Sequence, residues 1–334
     1  MASFIIRRLL LAVPVVWGAL TLLFILFFVV PGDPAELLAG GASGRSVPEA
    51  TLRAVEERFD LDEPFIVQYG HYWGRVLTGD LGESYATRRP VSDILGETLP
   101  NSLRLAFWAI IIETVIGITA GVVSAVKRYS LIDSFTTVVT ALFSALPVFV
   151  FGFLLQQAFG VFPNQHDWPD WSRLRVQGTP DDWFLFVFPT GDGWRFLVLP
   201  AIALASVTTA LVTRMMRTTM IEVSRADYMR TAVAKGLTDR QVVFRHGLRN
   251  ALIPVVTLIG LDLANMIGAA ILTETVFSWN GMGSRIADSI GRRDAPVVLG
   301  LTMVLVIAYV VINLIVDLSY GYFDPRVRVG REAK

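Results

Sequence analysis

The sequence predicts an all-α membrane protein with six transmembrane helices, and three observations carry that prediction. Hydrophobic residues make up 53% of the 334 positions and charged residues only 17%, whereas a soluble domain carries about a quarter charged residues. The apolar residues gather in six runs, each long enough for a hydrocarbon core that takes about 20 helical residues to cross. Lysine and arginine concentrate in alternate connecting segments, which is the pattern of cytoplasmic loops.

The first predicted span covers about residues 9–30 and follows Arg7 and Arg8. A secretory signal has the same order of basic and apolar segments, but its apolar core is roughly 7–15 residues long and precedes a small-residue cleavage site. The apolar run here is longer, and no such site follows it. We therefore expect residues 1–30 to form an N-terminal cytoplasmic segment and an uncleaved first helix.

The remaining five predicted spans lie at about 102–126, 133–160, 196–218, 251–275 and 297–320. Backbone polar groups in lipid must find partners within their own segment, so apolar runs of this length predict helices. Pro147 predicts a kink in the third span, because proline removes a backbone donor. These five spans make up a predicted core at 101–325, which a tail at 326–334 follows.

The basic residues predict the orientation of the spans. Four basic segments lie before span 1, between spans 2 and 3, between spans 4 and 5, and after span 6. Their residues are Arg7, Arg8, Lys127, Arg128, Arg225, Arg230, Lys235, Arg240, Arg245, Arg249, Arg326, Arg328, Arg331 and Lys334. All four segments fall on one side of the membrane only if both termini are cytoplasmic, which leaves the loops at 31–100 and 161–194 outside.

The first outer loop, 31–100, holds two predicted helices. One covers residues 48–59. The other is predicted by apolar residues at helical spacing, namely Phe65, Tyr69, Tyr72, Trp73 and Val76. Their shared face predicts a helix that lies at the membrane interface or over the mouth of the bundle.

The second outer loop, 161–194, concentrates tryptophans beside aspartates. The tryptophans are Trp168, Trp171, Trp183 and Trp194. They are either anchors at the level of the lipid headgroups or a docking surface for an extracytoplasmic partner, and the sequence leaves both interpretations open.

The segment 222–250 predicts two helices that meet at Gly236. The first covers residues 225–235, and a glycine ends it because glycine tolerates the left-handed conformation found just beyond a helix. Thr238 and Gln241 have the spacing of a capping box, so a second helix is predicted to run through Leu248 towards Pro254.

Small and basic residues on the first of these helices are candidates for contact with a partner. Ala232 lies four residues after Tyr228 and four before Gly236, so another surface can approach this face closely, with Arg230 and Lys235 available to its acidic groups. A solvated basic loop that only obeys the positive-inside rule has the same spacing and needs no partner.

Polar residues within spans are candidates for function, because their burial in lipid is costly. Glu113 lies near the middle of span 2 and Asp262 in span 5. Each acid either faces a pathway through the membrane or holds a neighbouring helix by a hydrogen bond. Gly260, Ala264 and Gly268 repeat at four-residue spacing on span 5, which permits close helix packing within the chain or across a dimer.

Several of these segments resemble one protein family. Residues 230–236, R-T-A-V-A-K-G, resemble the E-A-A-x-x-x-G loop of bacterial ABC importer permeases. They keep Ala232 and Gly236 and depart from the pattern at Arg230 and Thr231, as the dipeptide/oligopeptide branch of the family does. The resemblance extends over nearly the whole chain, through the segments VVPGDPAE, LDEPFIVQYGHYWGRVLTGDLGESY, RHGLRNALIPV, ETVFSWNGMG and DLSYGYFDPRVR.

The resemblance implies the type I permease fold of ABC importers, with a cytoplasmic coupling helix between helices 4 and 5. In that family the coupling helix docks into a cytoplasmic ATPase subunit. The residues that would make this contact here are Tyr228, Thr231, Ala232, Lys235 and Gly236.

The resemblance also implies partners, a location and a substrate class. The partners would be a second, homologous permease subunit, two ATPase subunits and an extracytoplasmic substrate-binding protein, assembled in the bacterial plasma (inner) membrane. This chain would form half of a pathway for di- or oligopeptides. Nickel complexes, glutathione or another small solute are the alternative substrates.

The chain lacks motifs for ATP binding and for catalysis. A Walker A loop needs a lysine directly after a glycine, but the lysines here follow other residues: they are Lys127, Lys235 and Lys334. The three histidines are scattered without metal-ligand spacing, and there is no cysteine. We therefore expect a non-catalytic subunit without a cofactor of its own, with ATP and Mg bound by the partner ATPase subunits.

Two further classes are weighed against the importer. The net charge of zero argues against binding of nucleic acid. An ion-coupled secondary transporter remains the alternative of another class, and it would show internal inverted repeats, which the sequence does not display.

Overall fold

The structure, a computed structural model, describes residues 2–29, 48–59, 62–166, 168–169, 173–292 and 294–323. Trp171 and the tail at 326–334 lie outside these residues. The chain divides into two compact units. One comprises Met1–Ser102 with Asn280–Lys334, and the other comprises Leu103–Trp279.

Most of the described residues are α-helical. In chain order the helices are α1 (Ala2–Phe28), α2 (Glu49–Phe59), α3 (Phe65–Thr78), α4 (Val91–Val126), α5 (Leu131–Ala145), α6 (Val148–Gln165), α7 (Trp194–Ser224), α8 (Asp227–Ala234), α9 (Asp239–Val276), α10 (Met282–Arg292) and α11 (Ala295–Phe323). Two π-helical turns interrupt the α-helical hydrogen bonding, at Gln157–Val161 in α6 and at Val242–Gly247 in α9. A short antiparallel hairpin, β1 (Trp183–Phe184) and β2 (Phe188–Pro189), lies between α6 and α7.

Among the described residues, five helices are long and apolar enough to cross a membrane, and α5 with α6 makes a sixth if this bent pair is one span. The pair bends by 107°, and the break falls at Leu146 and Pro147. Leu146 is extended, with φ −84° and ψ 127°, because a residue before proline is driven out of the helical region. The predicted kink is confirmed, and it breaks the third span in two.

Two further boundaries differ from the predicted ones. Helix α4 begins at Val91, so the helix of span 2 starts well before residue 102 and takes in the end of the predicted loop 31–100. Helix α9 does not end near Pro254 but runs through it to Val276. A proline ends most helices in water, yet it is tolerated inside helices of membrane proteins, where neighbouring groups satisfy the freed backbone.

The first unit is built around aromatic residues of α1 and α3. Phe24 of α1 is buried and lies 5.2 Å, ring to ring, from Tyr72 of α3. The Tyr72 hydroxyl donates to the carbonyl of Leu20 over 3.2 Å, and burial raises the pKa of this phenol well above its ordinary value. The hydroxyls of Tyr69 and Thr21 form a second hydrogen bond of 2.7 Å.

These contacts define the environment of α3. The predicted helices are confirmed, both this one and the one at 48–59. The face that carries Tyr69, Tyr72, Trp73 and Val76 packs onto a core shared with α1 and α11, whereas the sequence predicted a position at the membrane interface or over the mouth of the bundle. Apolar residues of α1 provide a drier environment for that face than lipid headgroups do.

The second unit is organised by α7, which packs against α4, α5, α6 and α9. Glycines on α4 allow the closest approach. A Cβ atom added at Gly117 would lie 2.6 Å from Cγ1 of Val212, and one added at Gly121 would lie 2.6 Å from Cβ of Met216. No real Cβ atom tolerates such distances, so α4 reaches α7 only because these two positions have no side chain.

Candidate functional site

The segment between α7 and α9 forms the predicted helix pair. Helix α8 ends at Ala234, and Gly236 has φ +80°. The backbone N–H of Gly236 donates to the carbonyl of Val233 (2.9 Å) and that of Leu237 to the carbonyl of Ala232 (3.4 Å). This pair of bonds is the Schellman arrangement for a helix that ends in a left-handed residue, so the predicted role of Gly236 in the fold is confirmed.

The capping box at the start of α9 is also confirmed. The Gln241 backbone N–H donates to the Thr238 hydroxyl (3.4 Å), while the Thr238 backbone N–H donates to Oε1 of Gln241 (3.0 Å). Each side chain satisfies a backbone donor that the helix itself leaves without a partner. The link between α8 and α9 is therefore a tight turn with both helix ends satisfied.

The α8 residues proposed as contacts fall into two groups. Tyr228, Thr231, Lys235 and Gly236 are exposed, whereas Ala232 is 5% exposed. Ala232 packs with Met229 and Val242 in a small core that holds α8 against α9. The Tyr228 hydroxyl also accepts a hydrogen bond of 3.0 Å from Nδ2 of Asn250, a contact that the sequence did not predict.

Most basic side chains of this segment have no acidic partner among the described residues. Arg230 lies 3.8 Å from Asp227, but both side chains are highly exposed, and an exposed pair of this kind contributes little. Lys235, Arg240 and Arg245 form no ion pair with any other described residue. The segment thus presents a basic surface to its surroundings.

The structure brings together the two acids found separately in spans 2 and 5. Glu113 of α4 is fully buried and faces Asp262 of α9 and Thr208 of α7. Both carboxylate oxygens of Glu113 and Oδ2 of Asp262 are buried without a hydrogen bond of ordinary geometry to any described residue. Asn265 is the remaining polar neighbour of Asp262. The two carboxyl groups therefore face each other between three helices, without a cation beside them in the described part of the chain.

The small residues of span 5 do not form one packed stripe within the chain. Ala264 is fully buried, whereas Gly260 is half-buried and Gly268 is exposed. A Cβ atom added at Gly268 would meet no atom within 4 Å. Ala264 therefore packs against described residues of this chain, whereas the face of α9 at Gly268 is open to the surroundings.

Sequence reasoning missed further buried acids, among them Asp133 in the first turn of α5. Its carboxylate accepts hydrogen bonds from Nε (2.7 Å) and Nη2 (2.8 Å) of Arg217 on α7. It also accepts from the Ser124 hydroxyl and from the backbone N–H of Tyr129, the latter over 2.9 Å. The local signal was Ser130, whose hydroxyl caps α5 three residues before Asp133, but its partner Arg217 lies 84 positions away.

The tryptophan-rich loop is anchored to the second unit through its hairpin. The Trp108 indole N–H of α4 donates to the carbonyl of Val187 over 2.7 Å. The Arg104 guanidinium lies 4.5 Å from the Trp183 ring centroid, and Trp183 packs edge-on against buried Trp279. Trp168 and Trp194 are exposed. Trp183 is thus a structural residue. For Trp168 and Trp194, an anchor at the lipid headgroups and a docking surface for an extracytoplasmic partner both stay predictions.

Comparison with known proteins decides the family. Residues 117–329 match the family described as the binding-protein-dependent transport system inner membrane component, and residues 1–106 match the family of its N-terminal region. The chain belongs to this family. It is therefore a multi-pass protein of the inner membrane, and the predicted fold class is confirmed: an all-α permease with the type I fold of ABC importers.

Individual relatives match over nearly their whole length. The chain is 38% identical to a dipeptide transport system permease protein of Alkalihalophilus pseudofirmus, with 98% of this chain and 100% of the relative covered. It is 38% identical to a di/tripeptide transport system permease protein of Pseudomonas aeruginosa, with 98% and 99% covered. It is 33% identical to a glutathione transport system permease protein of Escherichia coli, also with 98% and 99% covered.

Proposed function

We propose that this permease forms half of a pathway for di- or oligopeptides and that α8 is its coupling helix. Both termini and α8 lie in the cytoplasm. The complete importer contains a second, homologous permease, two ATPase subunits that bind ATP and Mg, and an extracytoplasmic substrate-binding protein. This chain itself is non-catalytic and carries no cofactor.

The turn at Gly236 supports the coupling role. Helix α8 is too short to be stable alone in water, but the small core around Ala232 and the satisfied helix ends hold it on α9 as one piece. Its exposed residues Tyr228, Thr231 and Lys235 are then presented in fixed geometry. The basic surface fits an acidic groove on an ATPase, since complementary charge guides docking.

The substrate assignment follows the names of the relatives. Permeases 38% identical to this chain are named for dipeptides or di/tripeptides, and one 33% identical is named for glutathione. Glutathione is itself a small peptide, so it is the second candidate. Uptake of radiolabelled dipeptide into vesicles that hold the complete importer, in competition with unlabelled dipeptide, glutathione or a nickel complex, distinguishes these substrates.

Replacement of Gly236 by valine tests the coupling role. A Cβ atom at Gly236 would meet nothing within 4 Å, so the main cost of a side chain here comes from φ +80°. Left-handed backbone costs a residue with a Cβ atom about 1–2 kcal/mol and more for a β-branched one. We expect Gly236→Val to lower ATP-driven uptake and substrate-stimulated ATP hydrolysis at least tenfold in the assembled importer.

Two matched variants serve as controls. Gly236→Asn keeps the left-handed conformation at low cost and should retain most of the uptake. Gly191, at φ +53°, also has open space around a Cβ atom and precedes α7, so Gly191→Val imposes similar strain away from α8. Normal uptake by Gly236→Val, or equal losses in both valine variants, would remove α8 from the coupling role.

The location of ATP binding has a separate test. A photoreactive ATP analogue with Mg should label only the ATPase subunits of the purified importer. Labelling of this chain, or solute uptake by vesicles that contain this chain alone without ATP, would favour the ion-coupled transporter.

A further inference from the structure

The geometry points to a second component of the coupling device: the ion pair between Asp133 and Arg217 is the joint through which movement of α8 reaches the turn between α4 and α5. This inference rests on the proposed function of α8. Asp133 and Arg217 are positioning residues, because neither touches a substrate or a nucleotide.

Arg217 belongs to the same packed piece as α8. It lies on α7 two turns before Ser224, where the helix ends, and α8 begins at Asp227. After Arg217 in the chain, Met220 of α7 and Met229 of α8 both pack against Gly247. A Cβ atom added at Gly247 would lie 2.7 Å from Cε of Met220 and 3.1 Å from Cε of Met229.

A hydrogen bond and a small core complete this piece. The Thr219 hydroxyl oxygen lies 3.2 Å from the carbonyl oxygen of Ala251 on α9 and 3.0 Å from that of Met215 in its own helix. Nδ2 of Asn250 on α9 donates to the Tyr228 hydroxyl of α8. With the core around Ala232, these contacts pack the end of α7, helix α8 and the start of α9 together. A displacement of α8 therefore moves the helix that carries Arg217.

On the other side of the ion pair, Asp133 links the end of α4 to the turn between α4 and α5. Its carboxylate accepts from Ser124 near the end of α4, from the backbone of Tyr129 in the turn and from Arg217. Tyr129 has φ +63°, a conformation that a residue with a side chain adopts only when its surroundings impose it. The hydrogen bond to Asp133 is one such constraint, so the turn is held in a specific shape.

The ion pair between Asp133 and Arg217 has a fixed orientation and is largely protected from water. Both Arg217 nitrogens bind the carboxylate side by side, which fixes orientation as well as distance. The Asp133 side chain is 6% exposed and that of Arg217 30% exposed, so water competes weakly for the pair. A lysine in place of Arg217 would keep the charge but lose the two-pronged geometry.

Distance measurements between two spin labels test the joint without any substrate. The natural chain has no cysteine, so cysteines placed at Leu131 and Ala234 are the only ones in it. Both positions are exposed, one in the first turn of α5 and the other at the end of α8. In the assembled importer the distance between the labels should stay constant when ATP is trapped on the ATPases, while α8 moves together with the ATPase into which it docks.

Variants of Arg217 then test whether the ion pair itself, and not the packing around it, transmits the movement. In Arg217→Gln and Arg217→Lys, the distribution of distances between the two labels should become broader when ATP is trapped. The amount of peptide imported per ATP hydrolysed should fall at least fivefold. Basal ATP hydrolysis should stay within twofold of wild type. If a variant does not assemble, the wild-type label distance alone still decides.

Two results would overturn the inference. A wild-type label distance that changes on ATP trapping would show that the two sides move independently. An unchanged ratio of import to hydrolysis in an assembled Arg217→Gln importer would reduce the pair to a structural role. Failure of the wild type to import peptides, with a constant label distance, would refute the proposed substrate and leave the joint standing.

Discussion

Glu113 and Asp133 lie at the two ends of one contact between α4 and α7, and their surroundings are opposite. Along α4 the contact runs from Glu113 through Gly117 and Gly121 to Ser124, at spacings of four, four and three residues. Opposite these positions α7 presents Thr208, Val212, Met216 and Arg217. At one end a carboxylate has four hydrogen-bond donors, two of them from a guanidinium. At the other end a carboxyl group faces a second acid.

The difference shows that burial alone does not determine what an acid does in a helix bundle. An ionised carboxylate is stable in the interior when a cation and hydrogen-bond donors replace its water, as at Asp133. Two carboxylates that face each other without a cation repel when both are charged. Glu113 and Asp262 have no cation beside them among the described residues, and three of their four carboxyl oxygens are buried without a hydrogen bond of ordinary geometry, so their burial lacks the compensation that Asp133 has.

The largest expected effect is that of Asp133→Asn. The amide removes the negative charge and leaves the Arg217 guanidinium partly buried opposite a neutral group, which destabilises folded proteins strongly. Because Arg217 keeps some access to water, we expect a loss of about 2–3 kcal/mol, read as a fall in the melting temperature of the purified protein. Asp227→Asn removes a carboxylate that is 98% exposed and lies 3.8 Å from Arg230, which is 79% exposed, and it should shift the melting temperature much less. Equal shifts in the two variants would contradict the account of Asp133.

The glycines between the two acids test whether the contact is as close as the structure has it. Gly121→Ala brings a Cβ atom within 2.6 Å of Met216 Cβ and 2.7 Å of the Thr213 carbonyl oxygen, so the helices must move apart. Overpacking of this kind costs about 1–3 kcal/mol, and we expect a corresponding fall in melting temperature. Gly268→Ala has open space and should be neutral or slightly stabilising, because alanine favours helix. A stable Gly121→Ala variant would mean that α4 and α7 lie farther apart.

Glu113→Gln should have the opposite sign to Asp133→Asn, although the chemical change is the same. The amide is neutral, has nearly the shape of the protonated acid and can donate to Asp262. We expect the melting temperature to stay level or rise, by less than about 1 kcal/mol in free energy of unfolding. The double variant with Asp262→Asn should deviate from additivity, since the two groups are in contact. A loss as large as that of Asp133→Asn would indicate an ionised, well-partnered Glu113.

Sequence reasoning found the features whose causes are local and missed those that depend on packing. The helix end at Gly236 and the capping box at Thr238 were predicted correctly, because each depends on a few consecutive residues. Glu113 and Asp262 were both found as polar residues within spans, but their pairing arises only when α4 and α9 pack together. Asp133 and Arg217 lie at opposite ends of predicted spans, where charges are common, so neither stood out.

The ion pair between Asp227 and Arg230 gives the smallest expected effect and isolates what burial contributes. It joins the same residue types as the Asp133 and Arg217 pair, but its side chains are 98% and 79% exposed and 3.8 Å apart. Water and salt screen such a pair, so Arg230→Gln should leave the melting temperature within about 1 °C of wild type, whereas Arg217→Gln should lower it by several degrees. The melting temperatures are measured at low and at high salt. Any difference between Arg230→Gln and wild type should vanish at high salt, whereas the difference between Arg217→Gln and wild type should persist. A fall in melting temperature for Arg230→Gln as large as that for Arg217→Gln would show that the charge of the arginine, and not its burial, sets the stability of these pairs.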